Sequence, residues 1–315
     1  MFEMPAGAHL IWAVALCFSA LLPAAGYADD VKGSVNRGVS QGVNSGSNDR
    51  SDQGFDTEHL FGFMFGSDIG TVGEREFQSQ TTGRFGKSGG TYRAVSQELE
   101  LEFVPAPNFR LELGGAFASH DIGGVSGFEN RRQLALQGLS LDLRYRLLDR
   151  EVAPFGLLFG VETHAERIDE TTAAKVRQYG TEFTLAFDRE LIPNTLLAAV
   201  NLMYQPEWTH VVASGSGDQD ATVGVAASLM AQVRPGLFIG SEARYLRKYE
   251  GLGLNELAGQ ALFVGPTAFI KLSERSRLTA AWSFQAWGRA AGGAGPLNLV
   301  DFERHQARLI FGVNF

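Results

Sequence analysis

Cysteine is almost missing from this chain: Cys17 is the only one in 315 residues. Past the first 28 residues there is none, which excludes structural disulfides, cysteine-rich zinc sites and a thiol nucleophile. Basic charge is also short, with 27 Lys and Arg against 35 Asp and Glu and a formal net charge of -8. The bases alternate with acids rather than clustering, so no nucleic acid is expected as a partner. Membrane-spanning helices are lacking as well. The apolar stretch from Leu10 to Ala25 falls short of the roughly 20 residues such a helix needs, and Pro23 breaks its end.

That stretch has the length of a secretory signal core. Gly26-Tyr27-Ala28 places small residues at the minus-three and minus-one positions of a cut before Asp29. Residues 1–28 therefore read as a cleaved signal peptide, although no Lys or Arg precedes Lys32. Val14-Ala15-Leu16-Cys17 has too little apolar chain before it to serve as a lipoprotein box. Residues 29–56 are rich in Gly, Ser, Asn and Asp and carry almost no large apolar side chains. Burial cannot offset the entropy of ordering such a stretch, which predicts a flexible leader.

From about Glu74 onward apolar residues recur every second position, the period of a strand. Leu99, Leu101 and Phe103 oppose Glu98, Glu100 and Glu102, and Leu139, Leu141, Leu143 and Tyr145 oppose Ser140, Asp142, Arg144 and Arg146. The pattern runs on through Phe183-Leu185-Phe187, Val223-Val225-Ala227-Leu229 and Leu278-Ala280-Trp282-Phe284. A soluble sandwich also alternates. Strand length, aromatics near strand ends such as Tyr145, Trp208 and Phe315, and loop rhythm favour a transmembrane barrel instead. Tight connections at 105–108, 149–153, 191–194, 234–236 and 273–276, several holding proline, alternate with longer ones at 119–131, 167–175, 211–220, 251–260 and 292–302.

Twelve strands are predicted, over 74–86, 91–104, 108–119, 132–148, 153–166, 176–190, 195–210, 220–234, 237–249, 259–272, 277–290 and 303–315. The fold class is thus all-β, an antiparallel up-and-down barrel spanning 57–315, and an even strand count puts both termini in the periplasm. Residues 57–73, with Phe61, Phe63 and Phe65 also alternating, are expected to be a lead-in: a bent extension of strand one or a periplasmic tuck.

The final strand runs Arg304-His305-Gln306-Ala307-Arg308-Leu309-Ile310-Phe311-Gly312-Val313-Asn314-Phe315. With the signal segment, it gives the chain its resemblance to Gram-negative outer-membrane β-barrel proteins over residues 57–315. The resemblance implies residence in the outer membrane, contact with its lipid, and recognition of Phe311, Val313 and Phe315 by the outer-membrane assembly machinery. It matches no narrower family of known activity.

Inward positions are where function is expected, because outward ones answer to lipid. The predicted lumen carries Glu98, Glu100, Glu102, Glu112, Asp142, Glu162, Glu166, Glu182 and Glu242 beside Arg110, Arg144, Arg146, Arg234, Arg244, Lys271 and Arg308, with His164 between Glu162 and Glu166. Similar numbers of both signs predict a mixed-charge pore for a small polar solute without strong ion selectivity, or a lumen closed by its own ion pairs. Arg144, Arg146, Glu100, Glu162 and Arg244 are the candidates for setting pore width.

No cofactor and no resident metal is expected; carboxylates flanking His164 splay along one strand and need partners from neighbouring strands to hold an ion. A hydrolase is the third reading. No mature histidine has a serine two residues away, which leaves His120 beside a loop serine, or His210 near Asp218 and Asp220, as rim arrangements. Gly215-Ser216-Gly217 and Gly292-Gly293-Ala294-Gly295 precede no helix, so they are read as loops rather than phosphate cradles.

Overall fold

A computed structural model describes residues 55–315. The expected signal peptide and most of the leader, residues 1–54, lie outside the described residues. Twelve strands follow: β1 (Arg75–Phe85), β2 (Thr91–Ala106), β3 (Phe109–Gly123), β4 (Arg131–Leu148), β5 (Gly156–Ile168), β6 (Lys175–Ile192), β7 (Leu196–Val211), β8 (Gly217–Arg234), β9 (Leu237–Glu250), β10 (Glu256–Lys271), β11 (Ser276–Ala290) and β12 (His305–Asn314). Each pairs antiparallel with its sequence neighbours, and β1 closes the barrel on β12 through a register from Glu76↔Asn314 to Phe85↔His305.

The period-two pattern becomes two walls. Leu101 is 55% and Leu139 65% exposed on the outside, while Glu102, Arg110, Glu112, Asp142 and Glu242 are buried inside. A soluble protein would have this reversed; an apolar exterior around a charged interior suits strands whose solvent is lipid. Closure satisfies every strand edge, which hydrocarbon could not do. Tyr145, Tyr179 and Trp208 stand exposed toward the strand ends, where amphipathic rings are favoured.

At the end of the barrel that carries both described chain ends, proline and a left-handed residue make the turns. Pro107-Asn108 and Pro193-Asn194 put Asn at φ 62° and 53°, and Pro235-Gly236 puts Gly at 73°. Proline presets the first turn angle, and Asn or Gly tolerates the second. At the opposite end the connections are shorter than expected. β3 runs on to Gly123, β8 begins at Gly217 and β10 at Glu256, so five connections there have only five to seven residues, and 291–304 alone is long. Polar side chains such as Asp121 and Asp218 marked the ends of the apolar pattern, but the backbone ladder continues past the apolar band.

Residues 55–73 are neither a thirteenth strand nor a bent start of β1. They turn into the lumen. Phe55, Leu60, Phe61 and Met64 pack with Leu197, Ala199, Ala226, Met230 and Phe238, inward residues of β7, β8 and β9. Ile69 packs on Leu158 and Ala186. The chain then leaves the lumen and enters β1.

Candidate functional site in the barrel lumen

The inserted segment is held chiefly through its backbone. Glu242 accepts hydrogen bonds from the amides of Gly62 (2.7 Å) and Phe63 (2.8 Å), and from Thr267 Oγ1 (2.6 Å). The Asn201 side chain accepts from Phe65 N (2.6 Å) and donates to Phe65 O (3.0 Å). Asp188 accepts from Ser67 N (2.6 Å), Ser67 Oγ (2.8 Å) and Thr57 Oγ1 (2.7 Å). These wall groups replace partners that a strand would have supplied to the amides of Gly62, Phe63, Phe65 and Ser67, which lowers the cost of burying them.

Ion pairs and rings complete the seat. Glu58 pairs with Arg110, which also reaches Glu112 at 2.6 Å and Glu102 at 3.6 Å. Arg277 pairs with Glu76, and Arg150 reaches Asp68 at 2.6 Å. The guanidinium of Arg144 lies 4.0 Å from the Phe65 ring centroid, and those of Arg244 and Arg308 lie 3.9 Å and 4.9 Å from that of Phe63, within cation–π range. Two glycines permit the fit: a Cβ on Gly62 would collide with Ala281, and one on Gly66 with the Thr57 carbonyl. Burial first, and Arg277 second, push the His59 imidazole down to about 3, so it sits neutral between Glu58 (3.4 Å) and Glu76 (3.7 Å). Glu58, His59 and Glu102 together have a metal-like donor set, but Arg110 already neutralises both carboxylates.

Beyond Phe63 and Phe65 the lumen widens into a cavity of about 460 Å³. Its far mouth is narrowed by two connections. Residues 169–174 fold inward: Thr171 O accepts from Tyr92 Oη (3.0 Å), Glu170 O meets His120 Nε2 (2.9 Å), and buried Ala173 joins Tyr92, Ile122 and Val125. Residues 291–304 bring Phe302 onto Phe263, with 6.2 Å between ring centroids. Arg84 pairs with Glu170 across the mouth and lies 3.8 Å from Glu303. The Glu170 carboxyl is raised because burial outweighs Arg84.

Of the residues expected to line a pore, Glu98, Glu100, Arg110, Glu112, Asp142, Arg144, Glu162, His164, Glu182, Arg244 and Arg308 border this cavity. Glu102 and Glu242 are buried against the inserted segment instead. Arg146 is bound to Asn108 (3.0 Å) and Asp149 (3.2 Å) at the near mouth. Lys271 keeps the inward parity of Thr267 and Phe269 but lies at the near mouth, away from the cavity. Its side chain is 45% exposed and pairs with Glu274 at 2.7 Å, at the last residue of β10. Arg234 is likewise exposed at its turn.

The carboxylates around His164 do not converge on one ion. His164 reaches Glu207 of β7 at 3.5 Å across Gly180, where a Cβ would strike its ring, and Glu166 turns to Gln137. Neither rim arrangement assembles. His120 is buried on a backbone carbonyl, and His210 is exposed while its neighbour Thr209 and Asp220 border the cavity on the opposite face.

Sequence reasoning missed Glu207, Gln137, Gln178 and the inserted segment. The signal for the segment was present in broken alternation: Leu157-Leu158, Leu196-Leu197 and Leu309-Ile310 place an apolar side chain on both walls. Leu158 and Leu197 cover the inserted residues, and Ile310 borders the cavity.

Solved structures of the same architecture are outer-membrane barrels. The COG4313 outer membrane channel from Pseudomonas putida F1 matches with a TM-score of 0.55 at 14% identity, over 79% of this chain and 98% of that one. The translocator domain of autotransporter NalP from Neisseria meningitidis matches at 0.49 and 16% identity, over 79% and 91% of the two chains. The β domain of the Bordetella autotransporter BrkA matches at 0.48 and 12%, over 77% and 100%. The first likeness shows the fold, an outer-membrane type of β-barrel. No curated protein matches the sequence. A family described as one of unknown function, DUF6662, matches residues 53–315, and the chain belongs to it.

Proposed function

We propose that the protein is an outer-membrane channel for small polar solutes, closed in the described state by its own residues 55–73. The observation that carries this reading is the polar cavity of about 460 Å³ above the inserted segment. A purely structural barrel of this size has no need of an unfilled, charge-lined lumen, since side chains alone can fill it. The segment is also attached to the wall by hydrogen bonds and ion pairs rather than built into the ladder, which makes it separable. On this reading residues 1–28 are removed as a signal peptide, residue 29 begins a periplasmic leader, and the near mouth opens to the periplasm.

The test is single-channel recording in planar bilayers of the chain from residue 29, with heat-modifiable migration confirming the folded barrel. Rare openings are expected from the intact chain and steady, saturable current from the chain beginning at residue 74. The density of contacts on the inserted segment favours a second reading, a permanently closed barrel that serves as surface or scaffold. A folded chain from residue 74 that never conducts would establish the second reading and end the first.

A further inference from the structure

We infer that the lumen cavity is a binding site for small organic cations, amines that present several N–H donors. The inference rests on the channel reading only in taking the lumen as the compartment the solute enters. Sequence counting gave a balanced lumen, but folding separates the charges. Fourteen carboxylates and six Lys or Arg side chains border the cavity.

Four of the six cations are paired with carboxylates, and Arg244 and Arg308 are held by neutral groups and the Phe63 ring. Arg110 and Arg144 hold Glu112 and Asp142 at the floor. Arg308 donates to Thr82 Oγ1 (3.0 Å) and Gly62 O (3.2 Å), Lys248 pairs with Asp220 (3.3 Å), and Arg84 closes the mouth.

On the inward faces of β2, β5 and β6 the carboxylates that border the cavity have only neutral hydrogen-bond partners among the described residues. Glu98 accepts from Ser140 Oγ at 2.7 Å, Glu100 from Gln78, Glu166 from Gln137 at 3.0 Å, and Glu182 from Thr184 at 2.8 Å. Glu162 stands between them and faces Glu182 directly in the ladder. Carboxylates crowded together without an ion-pair partner favour binding of a cation, whose charge stabilises their ionised form.

A separate observation selects the kind of cation. Gln137 and Gln178 are 3% and 7% exposed and border the cavity, yet the Oε1 atom of each has no hydrogen-bond donor, and neither does Oε2 of Glu166. The three side chains are neighbours. Glu166 is paired with Gln178 across β5 and β6, and with Gly138 across β4 and β5, beside the bulge that turns Gln137 inward. Buried acceptors without donors are costly, and each such group normally has an explanation. An ammonium offers three donors and no acceptor, which is what this corner lacks. The cavity exceeds the needs of a bare ion and falls in the range that holds small molecules.

The test is equilibrium dialysis, run to completion so that slow entry does not matter, of the folded chain from residue 29 against radiolabelled spermidine. Parallel arms use calcium ion alone and the dianion glutarate. Saturable spermidine binding is expected, with glutarate excluded. Glu166→Gln and Gln178→Leu should each weaken it at least tenfold, while Lys271→Gln, at the near mouth and away from the cavity, leaves it unchanged.

No saturable spermidine binding, or binding indifferent to both lumen variants, overturns the inference. Calcium binding that those variants abolish, without amine binding, overturns it in favour of a metal site. The two readings fail separately. A barrel that binds spermidine and never conducts keeps the site and loses the channel, and one that conducts without binding does the reverse.

Discussion

At the scale of single residues, Glu242 shows how an inward carboxylate is used here: it cradles two successive amides of another segment instead of an ion. His59 offers a test of the same docking. Released from the lumen it would titrate near its ordinary 6.5, whereas docked it stays neutral down to about 3. The docked state therefore binds fewer protons between those values. Docking weakens as pH falls through that window, by up to about tenfold per pH unit from this one group. Burial raises the Asp68 carboxyl, which acts in the opposite sense, so the quantity to measure is the difference between the parent and His59→Gln. The chain from residue 29 has no cysteine, so maleimide labelling of a Leu60→Cys reporter in it reads undocking directly. Divided at each pH by the rate of a fully exposed cysteine, which removes the titration of the thiol itself, labelling should accelerate from pH 7 to pH 4 more steeply with His59 than with Gln. Equal slopes would mean that His59 is not buried at the seat.

At the scale of elements, the inserted segment depends on two glycines whose absent Cβ atoms let it lie against the wall and against itself. Gly62→Val forces the chain off Ala281 and should expose the Leu60→Cys reporter at least tenfold faster. It should raise current in planar bilayers while leaving heat-modifiable migration of the barrel intact. A variant that conducts no more than the parent would remove the segment from any gating role.

All twelve strands were legible in the sequence to within a few residues, because lipid outside and charge inside impose strict alternation. Residues 57–73 were not legible as a lumen insert. Phe61, Phe63 and Phe65 alternate as a strand does, and the seats of the last two are supplied by Arg244, Arg308, Arg144 and Asn201, residues 79 or more positions away.

At the scale of the whole molecule, stability comes from a closed ladder and a matched solvent on each wall. Leu139 stands outward near the middle of β4, and Gln80 inward near the middle of β1. Leu139→Arg should cost about 2–4 kcal/mol of folding free energy in bilayers, the range for a cation near the lipid midplane. Gln80→Arg, facing the acidic cavity, should cost less than about 1 kcal/mol, in the range of tolerated polar substitutions. Urea titrations of folding into lipid vesicles would compare them. Equal costs would mean that the outer wall does not meet hydrocarbon.

The sequence by itself determined the barrel, its strand number and which side chains face inward. Those follow from a period of two and from turn residues, both of which are local. Only the tertiary structure decided what the lumen contains. Whether an inward charge pairs, seats the inserted segment or remains open to a solute depends on neighbours contributed by distant strands. Glu242 was committed to Gly62 and Phe63, Arg110 to Glu58, and the wall of Glu98, Glu100, Glu162 and Glu166 was left facing open space. Closing the ladder brought these groups together, and no local pattern records their distances.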